Sequence, residues 1–345
     1  MSQINRQWLL RKRPEGRIKQ DDFEYSEGKL PEVALEPGQI LLRNVVLLCA
    51  PTMRNWMDPP GNSLYPSIPL GAPVMAPSVA RVLESADPQY PAGSRVATMG
   101  SWQDYQVIST GALPIRVIDD GLSFVEAMGR FGLNSLTGYC GLLEVGCPQA
   151  GDTLVVSAAA GSTGSIAAQV GKIKECRVIG IAGGAEKCRW LTATCKLDAA
   201  IDYKSEPVAK RLADLCPDGI DIFFDNVGGE ILQAAIDNMA PFGRIVLCGQ
   251  ISSYNDDKPP EGPRNMMRLI YGSITMQGFL SRNYADRFPE AIKDLRAWTE
   301  SGQIVHREDL RTGFENLPQI YDALFDGSNT GTLLAQIDDS ATETS

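Results

Sequence analysis

Apolar residues are grouped in short runs that alternate with segments of helical spacing in the middle of the chain. A β-branched run at 153–156 breaks into small residues at 157–165, and helical spacing follows at 166–174. This order predicts a strand, a tight turn and a helix. Further apolar runs predict strands at 177–183, 199–202, 220–227 and 244–249, with helix-like segments between them at 186–195, 207–216 and 229–239. Such alternation indicates a parallel, doubly wound sheet that binds its ligand at the carboxyl ends of the strands.

The first 125 residues have a different pattern. Short β-like runs lie between frequent proline and glycine turns, at 39–48, 78–84, 94–98 and 102–108. Short strands separated by turn signals predict a small, partly open β-barrel. A mainly helical segment at 121–145 then leads into the doubly wound part of the chain.

The C-terminal part adds a few elements. After a loop at 252–263, the pattern predicts a sixth strand at 274–280, helices at 284–301 and 318–325, and a strand at 331–337. We expect the last strand to return to the first domain, and the polar residues after it to fray. The expected domains are a barrel at 1–125, a doubly wound domain at 126–290, a returning segment at 291–337 and a polar tail at 338–345.

Composition narrows the possible partners. The chain has 345 residues, enough for two domains, and its 32 basic and 42 acidic residues give a net charge of −10. No basic stripe accumulates, which argues against nucleic acid or an anionic membrane as a partner. The sequence has no apolar run of about 18 residues and no secretory apolar core at its start, so we expect a cytoplasmic protein.

Residues that bind metals are few. The eight cysteines are scattered without a Cys-x-x-Cys pair, and we expect them to be reduced and mostly buried. His306 is the single histidine, so a zinc site is not expected, and we give this residue no part in catalysis.

The first turn of the doubly wound part carries the main motif. Ala158, Gly161 and Gly164 are spaced as a variant of the dinucleotide-binding turn. Gly161 allows the backbone to approach a pyrophosphate at the helix N-terminus, and Gly164 allows helix and strand to pack closely. The alternative is an ordinary α/β core with a glycine turn, but the ordered strands on both sides favour nucleotide binding.

Together these features resemble the medium-chain dehydrogenase/reductase superfamily. The chain is most similar to the zinc-independent branch with leukotriene B4 dehydrogenase/prostaglandin reductase, plant alkenal double-bond reductases and bacterial curcumin reductase. The motifs that carry the resemblance lie at 51–56, 102–105, 159–164, 180–188, 200–204, 224–230, 249–255 and 313–318. The resemblance implies an α/β fold, with a Rossmann doubly wound parallel sheet plus a GroES-like partly open β-barrel domain. It also implies NADPH as cofactor, no metal and a homodimer.

Cofactor choice is expected to depend on the end of the second strand. That strand ends in Ala182-Gly183-Gly184, without the acidic residue that binds the ribose of NAD. The resemblance implies that Lys187 and Tyr203 bind the 2′-phosphate of NADPH. A lysine on a helix face and a packing aromatic residue are the alternatives.

The resemblance assigns the remaining cofactor contacts. Asn226 ends the fourth strand, where its side chain would reach the ribose or nicotinamide, or would instead cap the next helix. Cys248 is expected to be a packed thiol rather than a nucleophile. The cofactor-binding residues implied in full are Thr137, Ala158, Gly161, Ser162, Thr163, Gly164, Gly183, Lys187, Tyr203, Asn226, Cys248, Gly249 and Asn329.

Tyr254 is the candidate catalytic residue. Reduction of an activated C=C bond needs hydride at the β-carbon, stabilisation of the enolate oxygen and a proton at the α-carbon, and a phenol can polarise the carbonyl or supply that proton. An aromatic lid that only packs is the alternative. Tyr65 is a candidate substrate contact together with Tyr254, although surface roles are favoured for Tyr65 and Arg54.

Some positions depart from the family pattern. They are Ala50, the segment 76–78, Asn134, Ser135, Lys196 and Thr332. The activity that the resemblance implies is NADPH-dependent reduction of α,β-unsaturated ketones or aldehydes. These departures leave the particular substrate open. The alternatives are a quinone reductase or allylic-alcohol oxidoreductase, and a non-catalytic NADPH-binding protein.

Overall fold

The computed structural model of the protein describes residues 4–30, 34–61, 66–256 and 261–343. They form two compact units, one of Met1–Gly132 with Glu308–Ser345 and one of Leu133–Arg307. The domain boundaries given above remain a prediction. None of the helices in the described ranges is long and apolar enough to cross a membrane.

The predicted strands and helices are present in their predicted order, together with further strands and helices that the pattern did not predict. The strands are β1 Ile4–Leu10, β2 Phe23–Lys29, β3 Gln39–Leu48, β4 Met75–Ser85, β5 Arg95–Ser101, β6 Tyr105–Ser109, β7 Arg116–Val117, β8 Thr153–Val156, β9 Arg177–Ala182, β10 Ala199–Asp202, β11 Ile220–Asp225, β12 Met239–Leu247, β13 Thr275–Gly278, β14 Glu308–Thr312 and β15 Thr332–Gln336. The α-helices are α1 Met53–Trp56, α2 Phe124–Met128, α3 Leu133–Cys140, α4 Ser162–Ile173, α5 Ala185–Ala193, α6 Val208–Leu215, α7 Gly229–Asp237, α8 Met267–Gly272, α9 Phe288–Glu300 and α10 Leu317–Asp326.

The second unit contains a parallel sheet with strand order β10-β9-β8-β11-β12-β13. Its core is apolar, and Val155, Ile179 and Phe223 are fully buried within it. The strand order reverses between β8 and β11, which is the point where doubly wound sheets bind their ligands. The predicted doubly wound architecture is therefore confirmed.

Strand β12 begins earlier than the sequence predicted. Ile220 pairs with Met239 and Ile222 pairs with Arg244, so β12 bulges out between these pairs. Phe242 lies in the bulge with a φ of 62°. Pro241 and Gly243 flank it and interrupt the apolar run, which explains why the pattern showed only the later part of the strand.

The first unit is built around β3. One edge of β3 pairs with β4, and β3 also pairs with β6 near its start and with β15 near its end, all antiparallel. The sheet has the strand order β14-β15-β3-β4-β5-β7, with β6 paired to β3 beside this path. Strand β15 thus brings the C-terminal part of the chain back to this sheet.

The C-terminal residues are more ordered than expected. Asp338 forms an ion pair with Arg43, and its carboxylate accepts the N–H of Ser340 at 2.9 Å. Ala341 is fully buried, and Arg81 lies 3.3 Å from the Glu343 carboxylate. The prediction of a frayed tail is wrong for residues 338–343, because these contacts hold the segment against the sheet.

Candidate functional site

The turn between β8 and α4 has the geometry of a strand-turn-helix phosphate site. Ala158 takes a left-handed conformation with a φ of 47°, and Gly161 is the extended residue before α4. A Cβ atom on Gly164 would lie 2.4 Å from the carbonyl oxygen of Ala158, so only glycine permits this packing. Helix α4 begins at Ser162, and the positive end of its dipole favours an anion at this turn.

Helix α3 lies against the start of α4. A Cβ atom on Gly138 would be 2.6 Å from the Thr163 carbonyl oxygen, which shows how closely the two helices approach. Thr137 is the neighbouring residue, and its hydroxyl donates to the Leu133 carbonyl at 2.8 Å. The structure therefore brings Thr137 into the same region as the α4 turn, with its hydroxyl proton directed back into α3.

The end of β9 carries no acidic side chain. Gly183 and Gly184 follow the strand, and Lys187 lies in the first turn of α5, where the helix dipole favours an anion. The ring of Tyr203, which is about half exposed, packs on Gly183. Lys187 and Tyr203, the two residues expected to meet a 2′-phosphate, thus lie on segments that follow the neighbouring strands β9 and β10.

Asp202 links the loops that follow β9 and β10. One of its carboxylate oxygens accepts the N–H of Gly184 at 2.7 Å and that of Lys204 at 3.0 Å. These hydrogen bonds keep the pKa of the Asp202 carboxyl below its ordinary value. They also fix the loop after β10, which includes Tyr203, against the loop that begins α5.

At the switch point of the sheet, the ends of β8 and β11 are joined by side chains. The Asn226 amide donates to the Ser157 carbonyl at 2.7 Å, and the Asn226 N–H donates to the Ser157 hydroxyl at 2.8 Å. Asn226 therefore does not cap α7, which was the alternative considered from the sequence. The Ser157 hydroxyl in turn donates to the buried carboxylate of Asp225 at 2.8 Å.

The turn after β12 lies against the same place. The N–H groups of Cys248 and Gly249 donate to the Asp225 carbonyl at 2.8 and 3.1 Å. Burial raises the pKa of the Cys248 thiol to about 12, with a smaller contribution from the Asp225 charge. A thiol with this pKa stays protonated at neutral pH, in keeping with the expected packed thiol.

Tyr254 points back to this turn. Its phenol oxygen accepts the N–H of Gln250 at 3.0 Å, and a Cβ atom on Gly249 would lie 3.3 Å from that oxygen. Accepting a hydrogen bond strengthens the phenol as a donor toward a further acceptor. Tyr254 is therefore oriented by the backbone at the carboxyl edge of the sheet.

The remaining candidates belong to the N-terminal and C-terminal parts of the sequence. Asn329 belongs to the first unit, in the loop before β15, and its amide donates to the Gly331 carbonyl at 3.0 Å. Tyr65 lies outside the described residues. The favoured surface role of Arg54 is wrong: Arg54 is only 4% exposed and donates to the carbonyls of Pro14 and Gly16.

Sequence reasoning missed Ser157 and Asp225. Both follow or end apolar strands, and the charge of Asp225 directly after two phenylalanines was the only signal. Among the residues placed by the structure, no cluster of three or more His, Cys, Asp or Glu side chains is arranged to hold a metal ion.

Two protein families match different parts of the chain. Residues 6–115 match the family described as N-terminal domain of oxidoreductase, and residues 162–297 match the family described as zinc-binding dehydrogenase. The chain is 37% identical to the NADPH-dependent curcumin reductase of Escherichia coli strain K12, with 97% of each chain covered. It is 34% identical to the NADP(+)-dependent 2-alkenal reductase of Nicotiana tabacum, covering 96% of this chain and 97% of the relative.

A solved structure shows the same architecture. The crystal structure of CurA from Vibrio vulnificus in complex with NADPH matches with a TM-score of 0.90 and 36% identity, covering 97% of this chain and 99% of that one. A doubly wound unit with a small-residue turn, accompanied by a separate β unit, defines a class of nicotinamide-nucleotide oxidoreductases. The chain belongs to the medium-chain dehydrogenase/reductase family of NADP-dependent oxidoreductases. The resemblance identified from the sequence motifs is thereby confirmed.

Proposed function

We propose that the protein binds NADPH and reduces the activated C=C bond of α,β-unsaturated ketones or aldehydes. The observation that carries the proposal is the arrangement of three turns at the carboxyl ends of β8, β9 and β12. They supply a phosphate-binding helix start, a strand end without an acidic residue that is followed by Lys187, and a backbone-oriented phenol. The similarity of the chain to a curcumin reductase and a 2-alkenal reductase favours this reaction over others of the family.

The residues of the second unit fit a dinucleotide phosphate. The pyrophosphate is expected at Gly161, Ser162, Thr163 and Gly164, where the positive end of the α4 dipole favours an anion. Lys187 and Tyr203 are expected to hold the 2′-phosphate, since the Tyr203 ring packs on Gly183 directly after β9 and Lys187 follows in the first turn of α5. Thr137, Asn226 and Gly249 are proposed as contacts of the ribose and nicotinamide side, Asn329 as a further cofactor contact, and Cys248 as a packed thiol next to Gly249.

Tyr254 is proposed as the catalytic residue. When bound, NADPH supplies the hydride for the β-carbon of the substrate. The phenol of Tyr254 donates a hydrogen bond to the substrate carbonyl, which stabilises the enolate oxygen as negative charge develops there. The same phenol, or a water ordered by it, delivers the proton to the α-carbon. Tyr65 is proposed as a second substrate contact.

The first experiment is NADPH oxidation at about 340 nm with a panel of enones, enals and quinones, followed by mass analysis of the products. Two added hydrogens on the C=C bond support the proposal. A hydroquinone, or an enone formed from an allylic alcohol with NADP⁺, would favour the rival oxidoreductase reactions instead. Tight NADPH binding without turnover across the panel would indicate a non-catalytic binding protein.

We further propose a homodimer in the cytoplasm that uses no nucleic acid or membrane partner. The net charge of −10 and the absence of a basic stripe support the last point. Light scattering after size-exclusion chromatography tests the oligomeric state, and a monomeric mass would contradict it. Cell fractionation tests the location.

A further inference from the structure

The last residue of β11 is a buried carboxylate at the centre of the candidate site. Asp225 is 1% exposed and follows the fully buried Phe223 and Phe224. Its Oδ1 accepts the Ser157 hydroxyl at 2.8 Å, the Val227 N–H at 3.0 Å and the Gly228 N–H at 3.1 Å. Its Oδ2 accepts the same Gly228 N–H at 3.0 Å.

The hydrogen-bond pattern is that of an ionised carboxylate. Every partner of Asp225 is a neutral donor, and a protonated acid would instead need an acceptor. The Ser157 oxygen accepts the N–H of Asn226 at 2.8 Å. Because Oδ1 of Asp225 already accepts the N–H groups of Val227 and Gly228, it has no proton to donate, and the Ser157 hydroxyl is the donor. Burial raises the pKa of the Asp225 carboxyl, and these donors act in the opposite direction. The site therefore contains a buried negative charge that is balanced by dipoles rather than by a cation.

The position of this charge matters for any ligand at the switch point. Asp225 ends one of the two strands between which the sheet order reverses, and through Ser157 it touches the other. Its carbonyl also holds the turn at Cys248 and Gly249. A charge buried among apolar residues is poorly screened, so it acts on groups bound just outside these strand ends.

We propose that the Asp225 carboxylate shifts the binding preference of the site toward oxidised NADP⁺ relative to NADPH. This inference rests on the proposed function, which puts a nicotinamide nucleotide at this edge. The nicotinamide ring is positively charged when oxidised and neutral when reduced, so a buried anion stabilises the oxidised form selectively. The consequence is that loss of hydride from NADPH at this site is more favourable than it would be without the charge.

The test compares two variants by calorimetric titration with NADP⁺ and with NADPH. Asp225→Asn removes the charge; its amide oxygen takes the place of Oδ1, while its NH2 group replaces Oδ2 opposite the Gly228 N–H. Ser157→Ala is the matched control, because it breaks the same network but keeps the charge. We expect Asp225→Asn to raise the ratio of the NADP⁺ Kd to the NADPH Kd by about three- to tenfold. A tenfold change in this ratio corresponds to about 30 mV for a two-electron couple.

The Ser157→Ala control shows the effect of breaking the hydrogen-bond network while the charge is kept. Ser157→Ala is expected to weaken both nucleotides by a similar factor and to leave the ratio unchanged. If Asp225→Asn also leaves the ratio unchanged while wild type binds both nucleotides, the inference is overturned. If wild type binds neither nucleotide, the proposed function itself fails.

Thermal melting of each variant is measured alongside. If Asp225→Asn does not fold, Asp225→Ser, which also removes the charge and keeps one hydroxyl acceptor, takes its place in the same titrations. An unchanged Kd ratio in that variant would refute the role of the charge.

Discussion

The ring of Tyr203 occupies the space that a side chain on Gly183 would need. A Cβ atom on Gly183 would come within 2.9 Å of the ring. We expect Gly183→Ala to push the half-exposed ring aside, because a ring at the end of a mobile side chain moves more easily than backbone. NADPH affinity should fall roughly fivefold, and the melting temperature should change little. In a double-mutant cycle with Tyr203→Ala, we expect a coupling of about 1 kcal/mol. Additive effects on the NADPH Kd would contradict this assignment.

Lys187→Ala removes the proposed partner of the 2′-phosphate. A charge-assisted hydrogen bond contributes about 1.5–3 kcal/mol, so the KM for NADPH should rise roughly 10- to 100-fold. The KM for NADH should stay the same, because NADH lacks this phosphate. Steady-state kinetics with both nucleotides gives the comparison, and Lys210→Ala, on the exposed surface of α6, is the control. Equal effects on the two nucleotides would exclude the phosphate contact.

Tyr254→Phe removes both the donor to the substrate and the acceptor of the Gln250 N–H. General acid catalysis typically contributes at least 100-fold, so turnover should fall by roughly that factor. The NADPH Kd, measured by titration, should change by less than about threefold, because the phenol is assigned to the substrate. Tyr271→Phe is the control, since Tyr271 is 85% exposed on α8. Unchanged turnover would reduce Tyr254 to a packing residue.

Lys196→Gly should stabilise the protein. Lys196 has a φ of 60°, a left-handed conformation that costs a non-glycine residue about 1–2 kcal/mol. After the higher entropy of unfolded glycine is allowed for, the free energy of unfolding should rise by about 0.5–1 kcal/mol. Lys196→Ala keeps the strain and loses the hydrogen bond to the Ala193 carbonyl, so it should destabilise. Urea unfolding distinguishes the two, and a less stable glycine variant would refute the prediction.

Buried thiols should make the protein sensitive to alkali. Burial raises the pKa of Cys49, Cys195 and Cys248 from 9.0 to about 12. Below pH 9 these thiols are protonated in both states and their full contribution to stability is present. Between pH 9 and 12 only the unfolded chain loses the protons, so the free energy of unfolding must fall. Urea midpoints at about pH 8 and about pH 10.5 measure this loss, which Cys248→Ala should reduce. The same loss in that variant would contradict the role of Cys248.

The strands of the doubly wound sheet were predictable because they are continuous apolar runs with turn residues at their ends. β1, β2 and β14 were not, since their residues are largely polar or exposed on one side. Polar edge strands form through pairing with distant strands, and no local pattern shows that pairing.

The candidate site was likewise predictable only in part. The small-residue turn at Ala158, Gly161 and Gly164 was visible because it has a fixed spacing. The link from Asp225 to Ser157 joins residues that are 68 positions apart and depends on the register between β8 and β11. The burial of Arg54 likewise depends on the carbonyls of Pro14 and Gly16, which lie about 40 residues earlier.

The hydrogen bond that the Asp202 carboxylate accepts from the Gly184 N–H limits which substitutions can change the cofactor preference. The usual route from NADP to NAD places an acidic residue at the end of the second strand of the sheet, here at position 183 or 184. An acid at either position would lie beside the Asp202 carboxylate and would repel it. At position 183 it would also displace Tyr203. Each single substitution toward NAD thus introduces repulsion before it adds a contact to the ribose. The preference for the phosphorylated nucleotide is therefore protected against change by single substitutions. A designed change of cofactor would need to replace Asp202 at the same time.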